Sequence, residues 1–420
     1  MNPFRRIDGR LHCERVPLED LAREYGTPLY VYSETSLLDT YREYDEAFSE
    51  REHLVCFAAK ANSGTAIMGA LAEAGAGADI VSGGELYRAL AAGVPASRIV
   101  YSGVGKTARE ITEAIEADIL MFNIESFSEL ETIDGIADRL GRRPRISLRV
   151  NPDVDPETHP YVATGLKTSK FGIGIEHVME GYLRASRLEN IDVAGVDLHI
   201  GSQLASIGPF VEAVSRAREL IRSLGDAGFD IRYLDLGGGL GITYDDEHPP
   251  TPTRYGAALD EALGDEGATI ILEPGRSIAG NAGVLLTEVL YTKKGHDRRF
   301  AIVDGGMNDL LRPSLYGSYH GIEEVVSHGR EPELTDVVGP ICESGDFLAR
   351  DRTIPALRGG DLIAVMSAGA YGSTMSSTYN SRPLAAEVMV RGGRHVLVRE
   401  RGTYEDLIRG ERHADFDAEG

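Results

Sequence analysis

The sequence predicts an α/β chain, a (β/α)₈ barrel of the TIM type followed by a β-rich second domain built like a sandwich or small barrel. Three observations predict it. Eight short β-rich runs alternate with helical stretches between residues 54 and 275. Polar residues and glycines collect at the ends of those runs. After about residue 276 helical patterning gives way to strand-like segments joined by turns. The 420 residues exceed what one core usually serves, so two domains are expected, a barrel over 35–278 and a β-rich domain from 1–34 plus 279–420.

The eight runs are LVCFAAK (54–60), ADIV (78–81), RIVYS (98–102), DILMFN (118–123), RISLRV (145–150), VAGVDLHI (193–200), IRYLDLG (231–237) and TIILEPG (269–275). Stretches such as 84–93, 107–117 and 209–228 separate them, with apolar residues at the three- and four-residue spacing of a helix. Alanine, leucine, glutamate and arginine dominate these stretches, and several end at a glycine able to take the left-handed cap. Counting alone leaves a doubly wound open sheet as an alternative. The positions of Lys60, Asn123, Asn151, His199, Gly237 to Gly239 and Glu273 favour the barrel, because a barrel gathers strand ends into one mouth. Beyond it, 283–295, 298–306, 361–372 and 385–400 read as strands, and PLYVYSE (28–34) reads as a further strand of the same domain. The polar tail ERHADFDAEG is expected to fray.

With 43 basic and 66 acidic side chains the formal charge is −23, which disfavours nucleic acid and anionic membranes as partners. No apolar run approaches the roughly 18 residues of a membrane span, and the first residues lack a signal-peptide pattern. Cys13, Cys56 and Cys342 have no metal-like spacing, so reduced thiols, a cytoplasmic address and no metal site are expected.

Lys60 ends an apolar run and is flanked by Ala58, Ala59 and Ala61. It is either a surface lysine past a strand or an amine in a semi-enclosed pocket. There it can lose its proton and form a Schiff base with an aldehyde such as pyridoxal phosphate. That cofactor needs a phosphate cradle, a partner for its ring nitrogen, a group against its ring face and a substrate clamp. Gly237, Gly238, Gly239 and Gly241 follow a strand and suit an anion cradle or simply a tight turn. Ser202 can add a hydroxyl to the same phosphate. Glu273 closes a buried run, where an acid needs a cation, either a pyridinium or a core arginine. Arg276, three residues on, suits an anion. His199 is a structural histidine or a ring-stacking one, and Asp79 a hydrogen-bonding group in the pocket. Three polar loops in the β-rich part carry Arg312 and Tyr316, Cys342 and Glu343, and Tyr371.

FAAKAN, HIGSQ, DLGGGLGI, EPGRS, DGGMNDLLRPSLY, GPICESGD and GAYGSTMSSTYNSRP occur in this order between residues 57 and 383. On these stretches the chain resembles the diaminopimelate decarboxylase family, of the alanine-racemase-like, fold-type III pyridoxal-phosphate enzymes. The resemblance implies decarboxylation of meso-diaminopimelate at its D-centre to L-lysine and carbon dioxide. It makes Lys60 the cofactor's attachment point and stacks His199 on the ring. Glu273 then faces the ring nitrogen, and Ser202, Gly239 and Glu273, Pro274, Gly275 and Arg276 hold the phosphate. It gives the substrate's distal end to Arg276, Arg312, Tyr316 and Glu343, has Tyr371 touch both cofactor and substrate, and makes Cys342 the proton donor. In the family the cysteine and glutamate come from the second subunit of a homodimer, which would make one protomer incomplete. Decarboxylases of ornithine, arginine or carboxynorspermidine share much of the pattern and are the alternative. A racemase, a cofactor-binding regulator without turnover and a dinucleotide oxidoreductase are more distant ones.

Overall fold

The computed structural model describes residues 2–152, 154 and 170–414. The chain divides into two compact units, the first comprising Glu34–Ala282 and Gly369–Thr374, the second Pro3–Ser33, Gly283–Ala368 and the residues from Met375 onward.

The first unit is a closed parallel barrel. Its strands, in order, are His53–Ala58, Gly77–Ile80, Ile99–Tyr101, Met121–Ile124, Arg145–Asn151, Asp192–Leu198, Tyr233–Asp235 and Thr269–Leu272. Each pairs in parallel with the next, and the last returns to the first through Ile271 and Leu54, so no edge is left open. All eight correspond to the runs read from the sequence, and the open-sheet alternative is thereby excluded. Several strands are shorter than their runs, two of them for reasons the backbone shows. Asp118, at φ 57°, ends the preceding helix, and the fourth strand starts only at Met121. Gly237, at φ 64°, turns the chain out of the seventh strand after Asp235.

Several of the helices between strands start where side chains satisfy the free N–H groups. Ser82 caps Gly83–Ala91, and Ser126 caps Phe127–Leu140. Thr107 and Glu110 form a reciprocal capping box on Ala108–Glu116. These caps sit just past strand ends, on the same face as the mouth.

The second unit is β-rich, as expected. The strand Gly283–Lys294 is its spine: its first half lies antiparallel between Leu29–Ser33 and Leu362–Val365, and its second half pairs antiparallel with Arg299–Val303. The N-terminal strand read at 28–34 therefore belongs to this domain, and it also pairs in parallel with Ala386–Arg391. Leu11, Leu18, Leu29, Val31, Val284, Leu286 and Val388 form the buried core of this unit. Of the tail expected to fray, residues 415–420 lie outside the described residues.

Gly77 illustrates how tightly the barrel closes. A Cβ there would stand 2.2 Å from the Arg98 carbonyl oxygen and 2.9 Å from Cys56 Sγ. The Gly77→Ala variant is expected to lose at least about 1–3 kcal/mol of stability, measurable by urea unfolding. Unchanged stability would mean that the second and third strands can separate without cost.

Candidate active site

The first strand ends at Ala58, and Ala58 is paired across the sheet with Asp79. That register brings the acid beside the lysine two residues further on. Lys60 Nζ donates to Asp79 Oδ2 at 2.5 Å, and Asp79 is fully buried. Burial by itself favours the neutral amine, but the adjacent Asp79 carboxylate outweighs it and holds Lys60 above the usual lysine range. This corrects the expectation of a lysine that readily loses its proton: without a cofactor Asp79 keeps it an ammonium. Asp79 Oδ1 is buried and has no hydrogen-bond partner among the described residues.

Glu273 follows the eighth strand and is 5% exposed. It accepts from Ser102 Oγ at 3.2 Å and Asn123 Nδ2 at 3.4 Å. The core arginine considered as its partner is engaged elsewhere: Arg149 Nη1 lies 2.8 Å from Glu125 Oε1. Burial, then Asp235 and Asp79, raise Glu273 well above the ordinary carboxyl range. An acid in this position is short of a cation.

His199 Nδ1 accepts the Gly238 N–H at 3.2 Å, which leaves the proton of a neutral ring on Nε2. Burial first, then Arg149 and Lys60, push its pKa well below the usual value, so the ring is neutral. The glycine run is a cradle built against backbone. A Cβ on Gly238 would lie 2.2 Å from the Glu273 carbonyl oxygen, and one on Gly239 (φ 117°) 2.4 Å from that of Gly201. A Cβ on Gly275 would meet those of Ala58 and Ala61 at 2.9 Å, and the Pro274 carbonyl accepts the Ala58 N–H at 3.2 Å.

Arg276 reaches Ser202 Oγ with Nη2 at 3.1 Å and with Nε at 3.3 Å, and Tyr244 OH with Nη1 at 2.6 Å. Tyr371, at φ 55°, joins this group. Its N–H donates to the Ala61 carbonyl at 2.7 Å, and its ring lies under the Arg276 guanidinium at 4.8 Å. The first unit thus brings together Lys60, Asp79, His199, Ser202, Gly239, Glu273, Pro274, Gly275, Arg276 and Tyr371.

The remaining candidates belong to the second unit. Arg312 opens the short helix Arg312–Tyr316, is buried, and lies 5.7 Å from the Tyr316 ring. Cys342 and Glu343 are exposed on a loop joined to that helix by a bond from Ser314 Oγ to the Gly345 carbonyl at 2.6 Å.

Several residues with no role assigned from the sequence complete the first unit's site. Asn123 Nδ2 also donates to Asp235 Oδ2 at 3.0 Å, Ser147 Oγ donates to Asn123 Oδ1 at 2.6 Å, and Asp235 Oδ1 accepts the Gly237 N–H at 2.9 Å. Polar residues inside apolar strands, as in MFNI and YLDL, were the available signal. Tyr244 had none, because its loop carries no pattern.

These residues fit pyridoxal phosphate on structural grounds. The site has an amine beside a carboxylate oxygen unsatisfied among the described residues, a buried acid with no ion-pair partner among them, a neutral imidazole, and a side-chain-free turn near Ser202 and Arg276. A barrel with this mouth defines a pyridoxal-dependent enzyme. The model of the pyridoxal-dependent decarboxylases' pyridoxal-binding domain matches residues 34–280, and the chain belongs to that family. The diaminopimelate decarboxylase of Aquifex aeolicus is 51% identical over 97% of both chains. The solved structure of the M. jannaschii diaminopimelate decarboxylase with L-lysine has a TM-score of 0.94 at 39% identity, covering 98% of both chains. That of the Helicobacter pylori enzyme with L-lysine has 0.90 at 45%, covering 93% of this chain and 98% of that one. Within the pyridoxal-dependent decarboxylases, the chain is a member of the diaminopimelate decarboxylases. Among the described residues no helix is long and apolar enough to cross a membrane.

Burial, then Asp197, push Asp235 up to about 8, while an unfolded-chain aspartate titrates near about 4. The folded chain therefore keeps a proton that the unfolded chain releases, and cofactor-free stability falls as pH rises from about 4 to about 8. Asp235→Asn removes one group's share, at most about 1.4 kcal/mol per pH unit. The variant's unfolding free energy is expected to decline less steeply between pH 5 and pH 8. Identical slopes would contradict the shift.

Proposed function

We infer that this chain decarboxylates meso-2,6-diaminopimelate at its D-centre, yielding L-lysine and carbon dioxide, the last step of lysine biosynthesis. The observation that carries the reading is the pairing of Lys60 with Asp79 in the same mouth as a buried Glu273 that has no ion-pair partner among the described residues. The diaminopimelate decarboxylase relatives supply the substrate.

When bound, pyridoxal phosphate takes up the electron pair left by the departing carboxylate. Lys60 would be its covalent attachment point, with Asp79 orienting Nζ. Glu273 would pair with a protonated ring nitrogen, whose charge would offset the desolvation of the acid. The neutral His199 imidazole would hold the ring without repelling that charge. Ser202, Gly239, Pro274, Gly275 and Arg276 hold the phosphate, and Tyr371 borders both cofactor and substrate. Arg276 and Arg312 take the distal carboxylate, Glu343 the distal ammonium, and Tyr316 borders them. Cys342 delivers the proton that replaces the lost carboxylate at the α-carbon. The protein acts as a cytoplasmic homodimer in which Cys342 and Glu343 serve the partner's site.

Three experiments test this reading. Borohydride is expected to fix the cofactor covalently to the native protein and not to Lys60→Ala; covalent label on the variant would overturn the attachment point. L-Lysine lacks the distal carboxylate, and leaving its arginine partners unpaired costs about 2–5 kcal/mol. Carbon dioxide release from it is expected to be at least hundreds of times slower than from meso-diaminopimelate. Comparable release, or faster release from ornithine or arginine, would reassign the substrate. Mixed dimers of Lys60→Ala and Cys342→Ala subunits are expected to regain part of the activity both parents lack. Verified mixed dimers without recovery would count against sharing.

A further inference from the structure

The loop bearing Cys342 is gripped by side-chain oxygens on two sides. Asp346 is buried and accepts the Ile341 N–H with Oδ2 at 2.6 Å and the Met307 N–H with Oδ1 at 2.7 Å. Glu343 N–H donates to the Ile341 carbonyl at 2.8 Å, and Asp346 N–H to the Glu343 carbonyl at 3.1 Å, which closes the turn from inside. The Cys342 amide, between those of Ile341 and Glu343, donates to Asn380 Oδ1 at 2.7 Å.

Asn380 is itself held in an unusual state. Its backbone sits at φ 55°, ψ 27°, the left-handed region that asparagine enters more readily than most residues with a side chain. The segment around it is fastened by Ser377 N–H to the Asn308 carbonyl at 2.8 Å and by Arg382 Nη2 to the Asp304 carbonyl at 3.1 Å. The left-handed turn thus presents an amide oxygen at a fixed point, aimed at one peptide. That peptide's orientation, together with the Cys342 φ angle, sets the Cα–Cβ bond about which the thiol turns, so the oxygen limits where the thiol can point. Proton delivery falls off steeply when a donor is misplaced by about an ångström.

We propose that Asn380 is a positioning residue for Cys342, fixing the thiol's direction through the Cys342 peptide. The proposal rests on the reading of Cys342 as proton donor. It goes beyond that reading by assigning the donor's aim to a side chain 38 residues later in the chain.

Three variants of the holoenzyme separate the oxygen from the backbone. Asn380→Gly keeps the left-handed turn and loses the acceptor, Asn380→Ala loses both, and Asn380→Asp keeps both. Two quantities are measured: hydrogen exchange of the Cys342 amide by mass spectrometry, and turnover of meso-diaminopimelate alongside cofactor affinity. The glycine and alanine variants are expected to exchange about 2- to 10-fold faster at Cys342 and to lose turnover by a similar factor. Cofactor affinity is expected to stay constant, and the aspartate variant to restore both readouts. Native exchange in Asn380→Gly, or native turnover despite faster exchange, overturns the proposal. Native turnover by Cys342→Ala would instead overturn the proton-donor reading, while the exchange result would still report on the Asn380 bond.

Discussion

The barrel interior holds more negative charge than it can neutralise. Asp79, Asp197, Asp235 and Glu273 are all at most 5% exposed, inside a ring of apolar strands. Of the nearby cations, Lys60 is committed to Asp79 and Arg149 to Glu125. Taking an unpaired carboxylate out of water costs several kcal/mol, so the surplus acids keep their protons instead. Burial raises Asp197, Asp235 and Glu273 alike. The site is therefore a binding surface for a cation in a chain whose overall charge is strongly negative. A flat ring with a protonatable nitrogen satisfies that demand without adding a bulky counter-ion.

Strand register produces this arrangement. Parallel pairing sets Ala58 against Asp79, Asn123 against Ser147, and Asp197 against both Arg149 and Asp235. One register shift would turn every one of these side chains to the opposite face of its strand. The glycine turn after the seventh strand is tied to the same layer, because Asp235 accepts the Gly237 N–H and the Gly237 carbonyl accepts the Glu273 N–H at 2.7 Å. The glycine turn and Glu273 are thus built on one continuous set of bonds.

Most of the barrel was legible because each strand and helix has its own period, and because several helical stretches end at a glycine. Lys60 and Glu273 stood out as charges ending apolar runs. The charge state of Lys60 was not legible. It depends on Asp79, 19 residues away in sequence and adjacent only through strand pairing. Asn123 was visible as a polar strand end, but its bonds to Asp235 and Glu273 span 112 and 150 residues. Tyr371 was read with the β-rich part, yet its segment packs with the barrel unit, a long-range docking that no local pattern encodes.

Asn123 links two of these acids. Its amide nitrogen lies 3.0 Å from Asp235 Oδ2 and 3.4 Å from Glu273 Oε1. A charge on either acid raises the other, because like charges so close disfavour each other. Glu273 follows the last strand, whereas Asp235 ends the seventh. A cation that pairs with one of the two favours its charged form while the other keeps its proton. In this way a buried pair that would destabilise an empty barrel becomes selective for a ligand that carries positive charge at one edge of its ring.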